Sequence, residues 1–111
     1  MLAPLALILA QPAGVAGLYE TQQMEVAAAL ELKPDGRFRY VLTYGAVDEA
    51  AQGRWTWTRD MVRLTSDPRP KVTGGDEFMP AEFRTDPLAR SGTDLLLLRY
   101  DTRFRFVKVR P

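Results

Sequence analysis

The stretch from Leu30 to Tyr44 constrains this chain more than any other: Leu30-Glu31-Leu32-Lys33-Pro34-Asp35-Gly36-Arg37-Phe38-Arg39-Tyr40-Val41-Leu42-Thr43-Tyr44. Apolar and polar residues alternate up to Lys33. The alternation resumes after Gly36, with Phe38, Tyr40, Leu42 and Tyr44 on one face and Arg37, Arg39 and Thr43 on the other. A period of two is the signature of a strand with one buried face. Between the two runs, Pro34 presets φ, Asp35 can bond back to the backbone, and Gly36 suits a position that needs φ > 0. The segment therefore reads as a β-hairpin with Gly36 in the left-handed region.

The rest of the chain extends this pattern. Gly17 to Gln22 reads as a first strand. Met24 to Lys33 is rich in helix formers, but its strict alternation and the turn that follows favour a second strand. Gly45 to Gln52, with Asp48 and Glu49, reads as a loop or loose hairpin. Gly53 opens a fourth strand in which Trp55 and Trp57 share a face, and Met61 to Thr65 is a fifth. Ser66 to Gly75 is a long connection punctuated by Pro68, Pro70, Gly74 and Gly75. Glu77 to Arg84 is a weaker strand that Pro80 confines to an edge. Thr85 to Gly92 reads as another loop. Thr93 to Tyr100 is a strand whose unbroken Leu95 to Leu98 run implies burial on both faces. In the last strand, Arg103 to Arg110, Phe104 and Phe106 face one way and Val107 and Val109 the other, which implies a β-bulge or cover on both sides.

Seven or eight short strands on sequential turns make an all-β, up-and-down antiparallel meander. It either closes as a small lipocalin-like barrel or flattens into a β-sandwich. At 111 residues the chain holds one domain. Its first sixteen residues carry no charge, and Leu5 to Ala10 has the character of a secretory h-region, although no basic residue precedes it. The expected division is a leader over 1–16, cleaved near Gly14 or Gly17, and a β domain over 17–111. The apolar run is too short to span a bilayer.

Composition removes whole classes of chemistry. The sequence has no Cys, His or Asn. Thiol nucleophiles, disulfides, Ser-His-Asp triads and His/Cys metal sites are excluded. A net charge of +1 gives no field that selects nucleic acid. No cofactor or metal site is expected.

The order Gly17-x-Tyr19, Leu30-x-Leu32-x-Pro34-Asp35-Gly36-x-Phe38, Tyr44, Gly53-x-Trp55 and Val62-x-Leu64 resembles the lipocalin-like N-terminal barrel of envelope lipoproteins of the NlpE type. The resemblance covers about residues 17 to 65. It implies a barrel in a bacterial cell envelope. That family carries a lipidation Cys and a Cys-x-x-Cys between its first strands. Here Met24-Glu25-Val26-Ala27-Ala28-Ala29 stands at that place, so lipidation and cysteine-based copper binding are not implied.

Three clusters are candidate sites. Tyr40, Tyr44, Trp55 and Trp57 would share a face if their strands are neighbours, either as packed core or as the mouth of a ligand pocket. Arg37, Arg39, Arg103 and Arg105 interleave with aromatics and would form one basic, anion-binding face if their strands adjoin. The alternative for them is a solvated strand surface. Asp48, Glu49, Asp76, Glu77 and Glu82 are expected to be solvated loop charges rather than the spaced pair a glycosidase needs. Met24, Met61 and Met79 are expected to fill gaps rather than bind Cu(I). The expected function is that of an exported, periplasmic or extracellular, non-enzymatic lipocalin-like domain. Its expected partner is a small apolar or anionic ligand or an envelope protein. The alternatives are a carboxylate-dependent hydrolase and a purely structural accessory domain.

Overall fold

The structure, a computed structural model, describes residues 14–68 and 78–111. The leader expected over 1–16 therefore lies mostly outside the described residues, as do Asp76 and Glu77. Among the described residues, nine strands form in order: β1 (Gly17–Thr21), β2 (Val26–Leu32), β3 (Arg37–Tyr44), β4 (Val47–Trp57), β5 (Met61–Ser66), β6 (Met79–Pro80), β7 (Arg84–Ser91), β8 (Asp94–Arg99) and β9 (Thr102–Arg110). They pair in the order β3-β2-β1-β9-β8-β7-β5-β4, and β4 pairs back onto β3. That last pairing closes an eight-stranded antiparallel barrel, not a sandwich. The ninth strand, β6, lies parallel to β4 through Glu49 and Ala50.

The β2–β3 hairpin forms as its residues dictate. The Gly36 amide donates to Lys33 O at 3.0 Å, the Lys33 amide to Arg37 O at 2.9 Å, and the Arg37 amide to Asp35 Oδ1 at 2.9 Å. Gly36 has φ 89°. The buried faces of the strands supply the core, with Leu30, Leu42, Val62, Leu64, Phe104 and Phe106 wholly inaccessible. Gly53 is needed for a different reason. A Cβ there would lie 2.0 Å from Thr65 O, where β5 crosses close to β4.

Four expectations change. The stretch 45–52 is the hairpin of its two alternatives, and a tight one, rather than a loop. Gly45 and Ala46 alone make the turn, Tyr44 pairs with Val47, and β4 runs on for eleven residues. The stretch 85–92 is not a loop either, but most of β7. Pro87 is tolerated there because β8 pairs with β7 only from Leu88 onward, so the proline sits where that ladder has ended. β8 is not buried on both faces: Leu95 and Leu97 are buried, whereas Leu98 is 74% exposed. The expected strand over 77–84 shrinks to β6, which keeps Pro80 at an edge. β9 does contain a bulge, but the register is regular through Phe106, Val107 and Lys108, so the bulge lies beyond the phase slip. Tyr19 pairs with Lys108 and Leu18 with Arg110, which leaves Val109 as the extra residue.

Candidate functional site

The chain turns from β1 to β2, from β3 to β4 and from β8 to β9 at the same end of the barrel. That rim holds the most unusual chemistry in the molecule. Glu49, on β4, pairs with Leu42 and so shares its inward face. Its residue is only 2% exposed. A carboxylate in that position must be matched by donors or be strongly destabilising. Four donors surround it. Oε2 accepts from the Tyr40 hydroxyl at 2.7 Å and from Arg99 Nε at 2.7 Å. Oε1 accepts from Arg99 Nη2 at 2.9 Å and from the Tyr100 hydroxyl at 2.5 Å.

Each partner is placed by its strand. Tyr40 comes from the inward face of β3. Arg99 ends β8 in phase with buried Leu95 and Leu97, and its guanidinium lies 4.8 Å from the Phe83 ring centroid and 5.1 Å from that of Tyr100. Tyr100 and Asp101 form a two-residue hairpin with φ 54° and 55°. That turn type favours Asn-Gly, because both residues need φ > 0. Among the described residues, the non-glycine positions with positive φ are Glu25, Thr85, Tyr100 and Asp101, all toward this rim. Strain of this kind persists only where surrounding contacts over-determine it. For Tyr100, the bond to Glu49 is such a contact.

The electrostatics follow. Burial alone would raise the Glu49 carboxyl, but hydrogen bonds from Arg99, Tyr100 and Tyr40 outweigh it and leave it below the ordinary range. Burial, reinforced by the bond to Glu49, pushes the Tyr40 phenol well above its usual value, and Tyr100 moves the same way. The bond to Glu49 likewise raises Arg99. Both carboxylate oxygens already take two donors, so the group has no free lone pair aimed at a substrate. Asp48, the next carboxylate in the chain, points to the opposite face and accepts from Thr43 Oγ1 at 2.9 Å. Glu82 pairs with Arg84 on the surface at 3.3 Å. The reading of Glu49 as a solvated loop charge is thus corrected, because it belongs to a strand and faces inward. The alternation Glu49, Ala51, Gly53, Trp55 carried that signal.

Behind the network, buried side chains of the described residues pack into the barrel. Phe83 is 1% exposed and meets Tyr40 edge-to-face at 4.9 Å and Phe38 at 6.1 Å. Ser66 holds it there. The Ser66 hydroxyl donates to Ala81 O at 2.8 Å and accepts from the Phe83 amide at 2.9 Å. The Ala81 amide donates to Ala50 O at 2.8 Å.

The aromatic cluster of the sequence reading is divided between the two ends. Tyr40 joins Glu49. Tyr44 stacks edge-to-face on Phe104 at 5.3 Å near the same rim. Trp55 lies toward the opposite end, where its indole donates to Lys33 O at 2.9 Å. Trp57 lies 5.7 Å from the Arg90 guanidinium. The four arginines are not brought together, because β2 and β1 separate β3 from β9. Arg37 is bound by Asp67 at 2.6 and 3.0 Å, and Arg105 by Asp94 at 2.7 Å. Arg39 and Arg103 are exposed on separate strands. Met24 and Met61 stand at opposite ends, so the methionines do not converge either. No family model, curated protein or solved structure matches the chain.

Proposed function

We propose that this protein is an exported, non-enzymatic, lipocalin-like barrel domain that works by binding an envelope partner on its outer surface. One observation carries the choice of surface over lumen: Phe83, with Tyr40 and Phe106, occupies the space that a lumenal ligand would need. The saturated Glu49 carboxylate supports a binding role over hydrolysis. The resemblance to the barrel of NlpE-type lipoproteins and the uncharged Leu5 to Ala16 stretch support the envelope as its compartment.

Two measurements test the proposal. Titration with a fluorescent fatty acid should leave Trp55 emission unchanged. Saturable one-to-one quenching would replace the outer-surface reading with a lumenal one. N-terminal sequencing of protein recovered from a producing bacterium should find a start at Gly14 or Gly17. An intact Met1 on cytoplasmic protein would remove the export reading.

A further inference from the structure

The outer wall of β1, β2 and β3 carries a groove of about 430 Å³, floored by Ala27, Ala29, Val41 and Thr43 and bordered by Phe78. Its floor is low because β2 turns two alanines outward, paired with Thr43 and Val41 of β3. A depression of about 160 Å³ continues it along the same wall past Leu18 and Glu31 to Arg39. β3 pairs with β2 from Val26 to Leu32, β1 pairs with it from Ala29 to Leu32, and the Ala28 amide donates to Thr21 Oγ1, so β2 is no free edge and an occupant is held mainly through side chains.

The groove has a definite electrostatic character. Glu20 is the charged side chain in its lining. Glu25 adjoins it in the chain beside Val26, and Glu31 stands farther along the wall. Met79, next to Phe78, and Met24, two residues before Val26, are 63% and 89% exposed. Exposed methionines suit a surface that adapts to apolar side chains. Arg39 stands opposite Glu31 at the far end of the wall, so the acidic character belongs to the Glu20 and Glu25 end, which repels anionic lipid and complements lysine or arginine.

We propose that this groove binds a cationic, apolar segment of a partner protein, laid along β2 with its aliphatic side chains over Ala27 and Ala29 and its basic groups toward Glu20 and Glu25. This rests on the outer-surface reading above and assigns it a place and a chemistry.

The test is an NMR titration of the ¹⁵N-labelled protein with a decapeptide of alternating leucine and lysine. Saturable shifts are expected at Ala27, Ala29, Val41 and Thr43. Affinity should fall about tenfold in Ala29→Arg and, independently, in Glu20→Lys, and should weaken with added NaCl as exposed charges are screened. A leucine–glutamate decapeptide should not bind. Shifts confined to another face, unaffected by Ala29→Arg, would remove the groove assignment and leave outer-surface binding standing. Shifts centred on Phe83 and Leu42 would remove both. Equal binding of the glutamate peptide would overturn the charge argument. The same groove shifts produced by phosphatidylcholine vesicles would make the occupant a lipid and overturn the proposal.

Discussion

Glu49 and Arg99 depend on one another. Breaking a buried ion pair costs more than replacing it whole, because the survivor keeps its desolvation without its partner. Glu49→Gln should therefore destabilise by about 3 kcal/mol. The double variant Glu49→Leu, Arg99→Met should lose less than the sum of the two single variants in urea unfolding. A strictly additive cycle would show that the two groups are not coupled. The pH dependence has a fixed sign. Glu49 has a folded pKa below its unfolded value, so its contribution is present above the unfolded pKa of about 4.3 and is lost as pH falls through the lower folded value. Between pH 5 and pH 3 the urea midpoint of the wild type should fall more steeply than that of the double variant. Sequence alone did not show this pair, because Glu49 and Arg99 are fifty residues apart and meet only when the barrel closes.

The turns were unequally legible among the elements. Lys33-Pro34-Asp35-Gly36 states its geometry in residue types, and Gly36 takes the φ that they require. Nothing crowds a Cβ at that position, so Gly36→Val should cost about 1–3 kcal/mol through backbone strain alone. An unchanged denaturant midpoint would contradict that account. Tyr100-Asp101 uses the backbone of an Asn-Gly turn without its residues, so composition could not reveal the strained conformation. Removing the hydroxyl isolates what offsets the strain. Tyr100→Phe should destabilise by about 1.5–3 kcal/mol, the range for a hydrogen bond to a charged group. No loss in thermal unfolding would mean that the Glu49 bond contributes nothing. β4 and β7 were misread for simpler reasons. Asp48-Glu49 has loop-like polarity, and Pro87 is a strand breaker unless the ladder beside it has already ended. The other end of the barrel is closed in part by Val15, which is 2% exposed and whose carbonyl accepts from the Tyr19 hydroxyl at 2.5 Å. A chain beginning at Gly14 keeps this contact and one beginning at Gly17 loses it. The shorter form should melt at a lower temperature.

Across the whole molecule, alternation and turn spacing were sufficient to indicate an up-and-down barrel, but not which faces would meet. In a closed meander the last strand adjoins the first, so β9 lies beside β1 and cannot extend the basic stripe of β3. The same closure leaves a lumen, and the segment after β6 fills it. Phe83 lies in a stretch whose only evident feature was Pro80, and alternation could not show that it would turn inward as a stopper. Its removal tests how the barrel is filled. Phe83→Ala should destabilise by about 3–5 kcal/mol, the usual cost of a buried aromatic replaced by alanine. It should also leave an apolar cavity beside Tyr40 and Phe38. Such cavities stay dry and accept benzene, so benzene should recover part of the lost Tm in the variant by mass action and have no effect on the wild type. A variant as stable as the parent would show that Phe83 does not fill the lumen. A destabilised variant that benzene fails to rescue would mean that the walls collapse inward to fill the space.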